Sequence, residues 1–207
     1  MKRDKMEYKL KKALDHQRFE HTLGVEKTAV EMARAFGVDE DRAALAGLLH
    51  DCAKCMPLER MIKAAKHEDV DPMMKESKAL MHAVAGRCVA RDVYNVEDEA
   101  VLDAIRWHTT GRADMTALDK IIYLADMIEP NRKPYPGLEE LRKLCMEDLD
   151  KAMHTALRMS LEHVKEQGKT LHPDTMAALA AYEPISNGQQ EDYHGSEGTG
   201  AACSEGA

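Results

Sequence analysis

The sequence predicts an all-α fold, made of one compact helical bundle and a disordered C-terminal tail. Apolar residues make up 44% of the 207-residue chain, but aromatic residues only 4%. Leucine, isoleucine, valine, alanine and 14 methionines must therefore fill the core, whereas β-sandwiches and barrels rely on aromatic and β-branched residues. Apolar positions recur with the 3.6-residue period of a helix from end to end, and strand-like alternation does not persist in the sequence.

The helical period predicts nine helices, with a break near Ala79 left open in the fifth. Local start signals support several of them. Asp39 precedes the third helix, Pro57 and Pro173 occupy first-turn positions, and residues 116–119 have the spacing of a capping box. The predicted ranges, in chain order, are 5–14, 16–36, 39–51, 57–67, 72–92, 97–108, 116–128, 137–167 and 173–182.

Stop signals and composition set the domain boundary. Gly37 follows the second helix, Gly111 follows the sixth, and the proline-rich segment 130–137 separates the seventh from the eighth. From residue 184 onward the chain has five glycines, no lysine or arginine and almost nothing to bury, which is typical of disorder. We therefore expect one domain over residues 1–183 and a disordered tail over 184–207.

Charge and cysteine content exclude several classes of protein. The 29 basic and 37 acidic residues leave a formal charge of −8, the wrong sign for a protein that coats a nucleic acid. No stretch approaches the roughly 18–20 apolar residues of a membrane span. Five cysteines give no disulfide framework in a chain of this length, so we expect reduced thiols and a cytoplasmic protein. Cys52 and Cys55 have the spacing of a redox motif, but no βαβ pattern surrounds them.

A His-Asp pair ends the most apolar helix. His50 and Asp51 close the run AALAGLLHD, and such an Ala/Leu-rich helix is buried, so both polar side chains must be satisfied inside the protein. Adjacent helical residues point in different directions, but at a fraying last turn the two side chains can converge on one ion.

Other helices direct further metal-capable side chains inward. His21, His82, His108 and Asp126 each share a helix face with apolar residues. Each of them alone is more often a hydrogen-bonded core residue, a helix cap or an ion-pair partner than a ligand. Burying all of them in one small core would be costly without a common partner. A shared metal site would remove that cost.

The order His21, His50-Asp51 and Asp126 resembles the H…HD…D signature of the HD-domain metal-dependent phosphohydrolases. The segments RFEHTLGV (18–25), AGLLHDCAK (46–54) and AIRWHTTGRADMTALDKIIYLADMIEPNR (104–132) narrow the resemblance to the YqeK-type symmetrical dinucleoside tetraphosphatases. It covers roughly residues 10 to 183. Where that family often has glycine after the mid-chain histidine, this chain has Ala83, which concerns packing rather than coordination.

The resemblance implies an all-helical fold with two metal ions. One metal would be held by His21, His50, Asp51 and Asp126, and the second by Asp51, His82 and His108, with Asp51 as the bridge. A hydroxide bridging the two metals would hydrolyse diadenosine tetraphosphate symmetrically to two ADP. Imidazole and carboxylate ligands without thiolate argue against structural zinc and allow iron, manganese, cobalt or nickel. The family makes iron the first choice, with both ions divalent or in a mixed-valence pair.

An anionic substrate requires basic side chains near the metals. The expected substrate-binding residues are Arg18, one turn before His21, together with Lys54, Thr109, Arg112 and Arg132. Lys54 is also expected to act in catalysis, with the two metal-binding aspartates. Solvated surface charge is the alternative for each basic residue. Asp119 supports a ligand histidine or caps its helix.

Other functions remain open on the sequence. The closest is another HD-type phosphohydrolase, such as a nucleotidase or a deoxynucleotide triphosphohydrolase. A nucleotide-binding sensor without turnover is the alternative outside enzymes, although a pure binding module does not need a second metal. A homodimer is left open, and the expected partner is a dinucleoside polyphosphate substrate rather than nucleic acid or a membrane.

Overall fold

The computed structural model describes residues 1–183, and within them all regular structure is helical. The predicted tail, 184–207, lies outside the described residues. Among residues 1–183 no helix is both long and apolar enough to cross a bilayer. The helices are α1 (Arg3–Ala13), α2 (His16–Phe36), α3 (Glu40–Leu49), α4 (Leu58–Ala64), α5 (Pro72–Glu76), α6 (Lys78–Tyr94), α7 (Glu99–Trp107), α8 (Ala117–Ile128), α9 (Leu138–Leu144), α10 (Leu149–Glu166) and α11 (Pro173–Tyr182).

The main core lies between α2, α3, α7 and α8, each of which packs against at least two of the others. Aliphatic and methionine side chains fill it without exposure to solvent, as the scarcity of aromatic residues predicts. Helices α10 and α11 pack on each other, and α10 covers α8. The fully buried side chains of this core include Leu10, Met32, Leu49, Leu102, Ile105, Ile121 and Ile122.

A second, smaller core lies under α4, α5 and α6 and is rich in methionine. Met61, Met74 and Met81 are buried there together with Val84 and Ala85. Helix α6 also packs along α7, so it joins the small core to the main one. This connection sets the α6 histidine beside the end of α7.

Three of the predicted helix-end signals are confirmed by the backbone conformation or by a capping hydrogen bond. Gly37 ends α2 in the left-handed region, at φ 66°. Thr116 and Asp119 form a reciprocal capping box at the start of α8. Asp39 caps α3 by accepting a hydrogen bond from the backbone NH of Arg42.

Two predicted helices are each divided in the structure. The range 72–92 breaks at Ser77, whose extended backbone (φ −119°, ψ 108°) separates α5 from α6 two residues before the expected position. The range 137–167 breaks before Leu149, because the Asp148 carboxylate accepts hydrogen bonds from the NH groups of Asp150 and Lys151 and starts a new helix. The apolar period runs through this cap, so the sequence pattern predicts one helix where the structure has two.

The predicted helix 39–51 is two residues too long. Helix α3 ends at Leu49, and His50 and Asp51 lie in the turn that follows. The chain turns tightly there, since the NH of Cys52 donates to Leu49 O and that of Lys54 to Asp51 O. His50 itself keeps a right-handed helical backbone (φ −53°, ψ −40°), and the hydrogen bonds from each NH to the carbonyl three residues earlier tighten the turn that presents the two side chains.

Candidate metal centre

Five structural elements bring the six expected ligands together. His21 lies on α2, His82 on α6 and Asp126 on α8, while His108 directly follows α7. His50 and Asp51 come from the turn after α3. All but Asp126 are buried, and the Asp126 side chain is about one-fifth exposed.

One half of the cluster gathers around a single carboxylate oxygen of Asp51. The Oδ2 atom of Asp51 lies 3.5 Å from His50 Nε2 and 3.9 Å from His21 Nε2. Asp126 Oδ1 completes the group, at 2.9 Å from His21 Nε2 and 3.8 Å from His50 Nε2. Side-chain atoms of His21, His50 and Asp126 are therefore close enough to share one ion.

The other half gathers around the second oxygen. Asp51 Oδ1 lies 3.1 Å from His82 Nε2 and 3.7 Å from His108 Nε2, and these two nitrogens are 3.0 Å apart. His50, Asp51 and His108 form another group that could hold an ion. The two oxygens of Asp51 thus face two different sets of imidazoles, which is the arrangement that a bridging carboxylate requires.

Hydrogen bonds to the far ring nitrogens select the tautomer that binds metal. His50 Nδ1 lies 2.7 Å from Gly47 O, and His108 Nδ1 lies 2.7 Å from Ile105 O. A carbonyl oxygen only accepts, so each Nδ1 carries the hydrogen and each neutral ring keeps a free lone pair on Nε2. Both Nε2 atoms point into the cluster.

Buried polar atoms without partners show that this donor set fits metal ions. Among residues 1–183, the Nε2 atoms of His21 and His50 and the Oδ1 atom of Asp51 are buried and make no hydrogen bond. Such atoms are costly to bury unless something else satisfies them. Nitrogen and oxygen donors that converge from five elements can be satisfied by divalent cations.

The ionisation states also suit metal binding. Burial raises the pKa of Asp51, but the imidazoles of His50, His108 and His82 outweigh it and hold that pKa well below the usual value. Burial lowers the pKa of His82 to about 4. At neutral pH the chain therefore offers a carboxylate and a neutral imidazole, which are the forms that coordinate metals.

Comparison with known proteins identifies the cluster. A family model described as "HD domain" matches residues 18–131, a range that contains all six residues. This chain belongs to the HD-domain family. An HD domain implies bound divalent metal ions, and the His50-Asp51 pair is the dipeptide for which the family is named.

Relatives of the same family match along most of their length. The chain is 39% identical to "Bis(5'-nucleosyl)-tetraphosphatase, symmetrical" from Bacillus subtilis, over 80% of this chain and 89% of that one. It is 37% identical to the protein of the same name from Halalkalibacterium halodurans, over 86% and 95%. A crystal structure of a predicted HD superfamily hydrolase involved in NAD metabolism, from Clostridium acetobutylicum, superposes with a TM-score of 0.85 at 40% identity, over 88% of this chain and 97% of that one.

The six expected ligands, here called the HD cluster, are His21, His50, Asp51, His82, His108 and Asp126. Three basic residues border this cluster, and each contacts one of its carboxylates. Arg18 Nη1 donates to Asp51 Oδ2 at 2.8 Å, and Lys54 Nζ lies 3.5 Å from Asp51 Oδ1. Arg132 Nη2 donates to Asp126 Oδ1 at 2.6 Å. Each of the three basic side chains is about one-third exposed, so its charge reaches both the cluster and the solvent.

Lys54 and Thr109 also approach the histidines of the second half. Lys54 Nζ lies 3.0 Å from His82 Nε2. The Thr109 hydroxyl lies 3.3 Å from the same nitrogen and 3.2 Å from His108 Nε2. Of the five predicted substrate-binding residues, four therefore lie at the HD cluster.

Arg112 is the exception. Its guanidinium lies 2.8 Å from Asp119 Oδ2 and 3.5 Å from Asp103 Oδ2, and it lines a different cavity of about 440 Å³. Arg112 lies away from the HD cluster because its charge is paired with these two aspartates. Asp119 itself caps α8 rather than supporting a ligand histidine.

A cavity of about 860 Å³ opens beside the first half of the cluster. Arg18, His21 and Arg132 line the end next to the ligands, and Tyr135 and Met159 lie among the lining residues. The sequence does not predict this cavity, because it forms between elements that are distant in the chain: α2, the loop after α8, and α10.

Cys52 directly follows Asp51 but does not join the donor set. Its buried thiol donates to Gly86 O at 3.5 Å, and burial raises its pKa well above the ordinary value. Cys55 is exposed, with its thiol 3.5 Å from Asp15 Oδ2. The two cysteines thus have different hydrogen-bond partners.

Glu129 is a residue of the site that the sequence pattern does not predict. The Glu129 carboxylate, almost fully buried, lies 3.0 Å from His21 Nδ1. The signal was an acidic residue three positions after Asp126, directly before Pro130. A helix end normally exposes such a residue, so the sequence alone gave no reason to bury it.

Proposed function

We propose that this chain hydrolyses diadenosine tetraphosphate symmetrically, giving two molecules of ADP. The observation that carries the proposal is the shared carboxylate of Asp51, which faces two sets of histidines beside a cavity with basic residues at its inner end. The names of the Bacillus and Halalkalibacterium relatives support the choice of substrate.

The six ligands would hold two metal ions, with Asp51 between them. His21, His50 and Asp126 would complete one site, and His82 and His108 the other. Bound divalent cations supply a nucleophile derived from water near neutral pH and offset the charge that develops on the attacked phosphoryl group. We assign iron to both sites, with manganese, cobalt or nickel as alternatives that nitrogen and oxygen donors also accept.

The chain's own residues would position the substrate. The cavity next to His21 is large enough for a nucleoside and part of the phosphate chain. Arg18 and Arg132 stand between this cavity and the cluster, so their guanidinium groups would bind phosphate oxygens as they enter. Lys54 and Thr109, on the His82 and His108 side, would donate hydrogen bonds to the phosphates beyond the scissile bond.

The reaction conserves all atoms of substrate and water. The oxygen of water bonds to a phosphorus atom next to the central bridging oxygen, and the bond from that phosphorus to the bridging oxygen breaks. The bridging oxygen leaves with the other half of the substrate. Each half is then ADP, and basic side chains near the leaving phosphate stabilise its new charge.

Product analysis in isotopic water tests the proposal. The protein is loaded anaerobically with Fe²⁺ or Mn²⁺ and incubated with diadenosine tetraphosphate in H₂¹⁸O. The products are separated by chromatography, and their masses are measured by mass spectrometry. We expect ADP as the nucleotide product, with ¹⁸O on the terminal phosphate of half of the molecules. AMP plus ATP would contradict symmetric cleavage.

Two other outcomes would favour the alternative functions. Inorganic phosphate or a nucleoside as the main product, or faster turnover of a nucleoside monophosphate or triphosphate, indicates another HD-type phosphohydrolase. A metal-loaded protein that binds the dinucleotide without hydrolysing it indicates a sensor.

We further propose a cytoplasmic location, and the homodimer stays open. The four cysteines in the described part of the chain are free thiols, which agrees with a reducing compartment. Cell fractionation tests the location, and analytical ultracentrifugation of the metal-loaded protein tests the oligomeric state.

A further inference from the structure

The Nδ1 atom of His21 has a different partner from those of His50 and His108. The latter two bind main-chain oxygens three residues earlier, beside the turns that end their helices. His21 lies inside α2, where the carbonyls accept helical hydrogen bonds. Its partner is instead the carboxylate of Glu129, from the end of α8, at 3.0 Å.

The Glu129 carboxylate is held in place on both sides. Its Oε2 atom accepts a hydrogen bond from the Asn131 NH at 2.6 Å, and the Glu129 side chain is only 2% exposed. It lies against α2 at Gly24, three residues after His21. A side chain on residue 24 would overlap Glu129 Oε2 and come within 3.2 Å of its Cδ. The glycine therefore makes the space that the carboxylate occupies.

We infer that Glu129 is a positioning residue that sets the affinity of one of the two metal sites. This inference rests on the proposed dinuclear centre. A carboxylate that accepts from Nδ1 fixes the ring orientation, keeps the lone pair on Nε2 and makes that nitrogen a stronger donor. By contrast, the Nδ1 atoms of His50 and His108 donate only to neutral carbonyl oxygens. Gly24, Glu129 and His21 thus form a chain of contacts that acts on the site shared by His21 and Asp126.

Replacement by glutamine breaks this arrangement without a large change in shape. If the glutamine oxygen faces His21, its NH₂ group opposes the Asn131 NH, and two donors meet. If it turns, the NH₂ group faces Nδ1 and the hydrogen moves to Nε2, which then cannot bind metal. Either orientation weakens the site that contains His21.

Mn²⁺ binding, measured by calorimetry and by electron paramagnetic resonance, tests the inference independently of hydrolysis. For the wild type we expect two Mn²⁺ per chain and an exchange-coupled signal. For E129Q we expect one equivalent to bind with about 10–100-fold lower affinity, the usual effect of losing such a partner, and the coupled signal to be replaced by that of isolated Mn²⁺. G24A, which displaces the same carboxylate, should show the same change.

The matched control is E162Q, which removes one negative charge from a residue lining the same cavity. It should bind both Mn²⁺ ions as the wild type does. Thermal unfolding of metal-free E129Q checks that the variant folds. Two tightly bound ions with a coupled signal in E129Q would overturn the role of Glu129 alone. A wild type that binds fewer than two would overturn the dinuclear centre as well.

Discussion

Arg18 on α2 donates a hydrogen bond to Asp51 Oδ2 over 2.8 Å, from a position that also lines the large cavity. One guanidinium therefore touches the carboxylate at the centre of the HD cluster and the space proposed for the phosphate chain. Asp51 belongs to the metal centre in this arrangement, whereas Arg18 faces the substrate. Replacing Asp51 should therefore impair metal binding, whereas replacing Arg18 should impair substrate binding.

Arg18→Ala should mainly raise KM. A hydrogen bond to a charged group is worth about 1.5–3 kcal/mol, so KM should increase roughly tenfold or more while kcat and metal content change little. Steady-state kinetics with the Mn²⁺-loaded protein measure both constants. The control is Arg34→Ala on the same helix, an exposed residue paired with Glu40. A fall in kcat at unchanged KM would show that Arg18 acts on the reacting atoms instead.

Asp51→Ala should abolish metal retention and activity together, because both halves of the cluster lose a ligand. The loss should exceed the roughly 10–100-fold effect of removing a residue outside the coordination sphere. Elemental analysis of the purified variant, next to its hydrolysis rate, measures both. Asp92→Asn, at an exposed aspartate paired with Arg91, should retain metal and activity. Full activity of Asp51→Ala would show that the bridge is assigned wrongly, and His50→Ala should behave as Asp51→Ala does.

The helical period predicted most of what places these ligands, since it put His21, His82 and Asp126 on inward faces of separate helices. The cost of burying them together predicted a shared metal site, and the family resemblance divided the ligands between two ions. The sequence did not predict contacts between elements. The partner of Glu129 lies 108 positions away, and the carboxylates that pair with Arg112 lie on α7 and α8, at either side of its loop. The break at Asp148 was missed for a local reason, because the apolar period continues through the cap.

Metal removal should destabilise the fold. A ligand that binds only the folded state stabilises it by about 2.7 kcal/mol at a hundredfold excess over its Kd, and the buried donors of the HD cluster are available only after folding. Differential scanning calorimetry should show a lower Tm after treatment with a chelator and its recovery with Mn²⁺. The Asp51→Ala variant should show no such recovery. A wild-type Tm that does not respond to metal would contradict the assignment of these donors.

Asp71 should contribute stability that disappears in acid. It caps α5 through the Met74 NH and lies 2.7 Å from His172 Nε2. Partial burial raises its pKa, but these hydrogen bonds outweigh that effect and lower the pKa below 3.8. A carboxyl with a depressed folded pKa stabilises the protein above its unfolded pKa, and that contribution is lost as the pH falls through the folded value.

Asp71→Asn should therefore lower the free energy of unfolding at pH 7, and the difference from wild type should shrink towards pH 3. Urea unfolding at the two pH values measures it. Asp69→Asn, at an exposed neighbour, is the matched control and should show little effect at either pH. An Asp71→Asn difference that is equal at both values would mean that the charge of Asp71 does not contribute.

Gly111, at the end of the HTTG segment, should be more sensitive to substitution than Gly168, another left-handed glycine. Its φ is 68°, and a Cβ there would lie 3.2 Å from Ala178 Cβ on α11 and 3.3 Å from Met115 Sδ. Gly168 has nearly the same φ, 65°, but no atom within 4 Å of an added Cβ. Both Gly→Ala variants incur the left-handed strain of roughly 1–2 kcal/mol, whereas only Gly111→Ala must also displace its neighbours.

Thermal and urea unfolding of the two variants separate backbone strain from packing. Gly168→Ala should lose about 1 kcal/mol, and Gly111→Ala should lose more, because α11 has to move away from the turn that follows His108. Since this turn also carries Thr109, Gly111→Ala should reduce Mn²⁺ binding at the His82 and His108 site, and Gly168→Ala should not. Equal losses of stability and unchanged Mn²⁺ binding would show that α11 does not support the metal centre through Gly111.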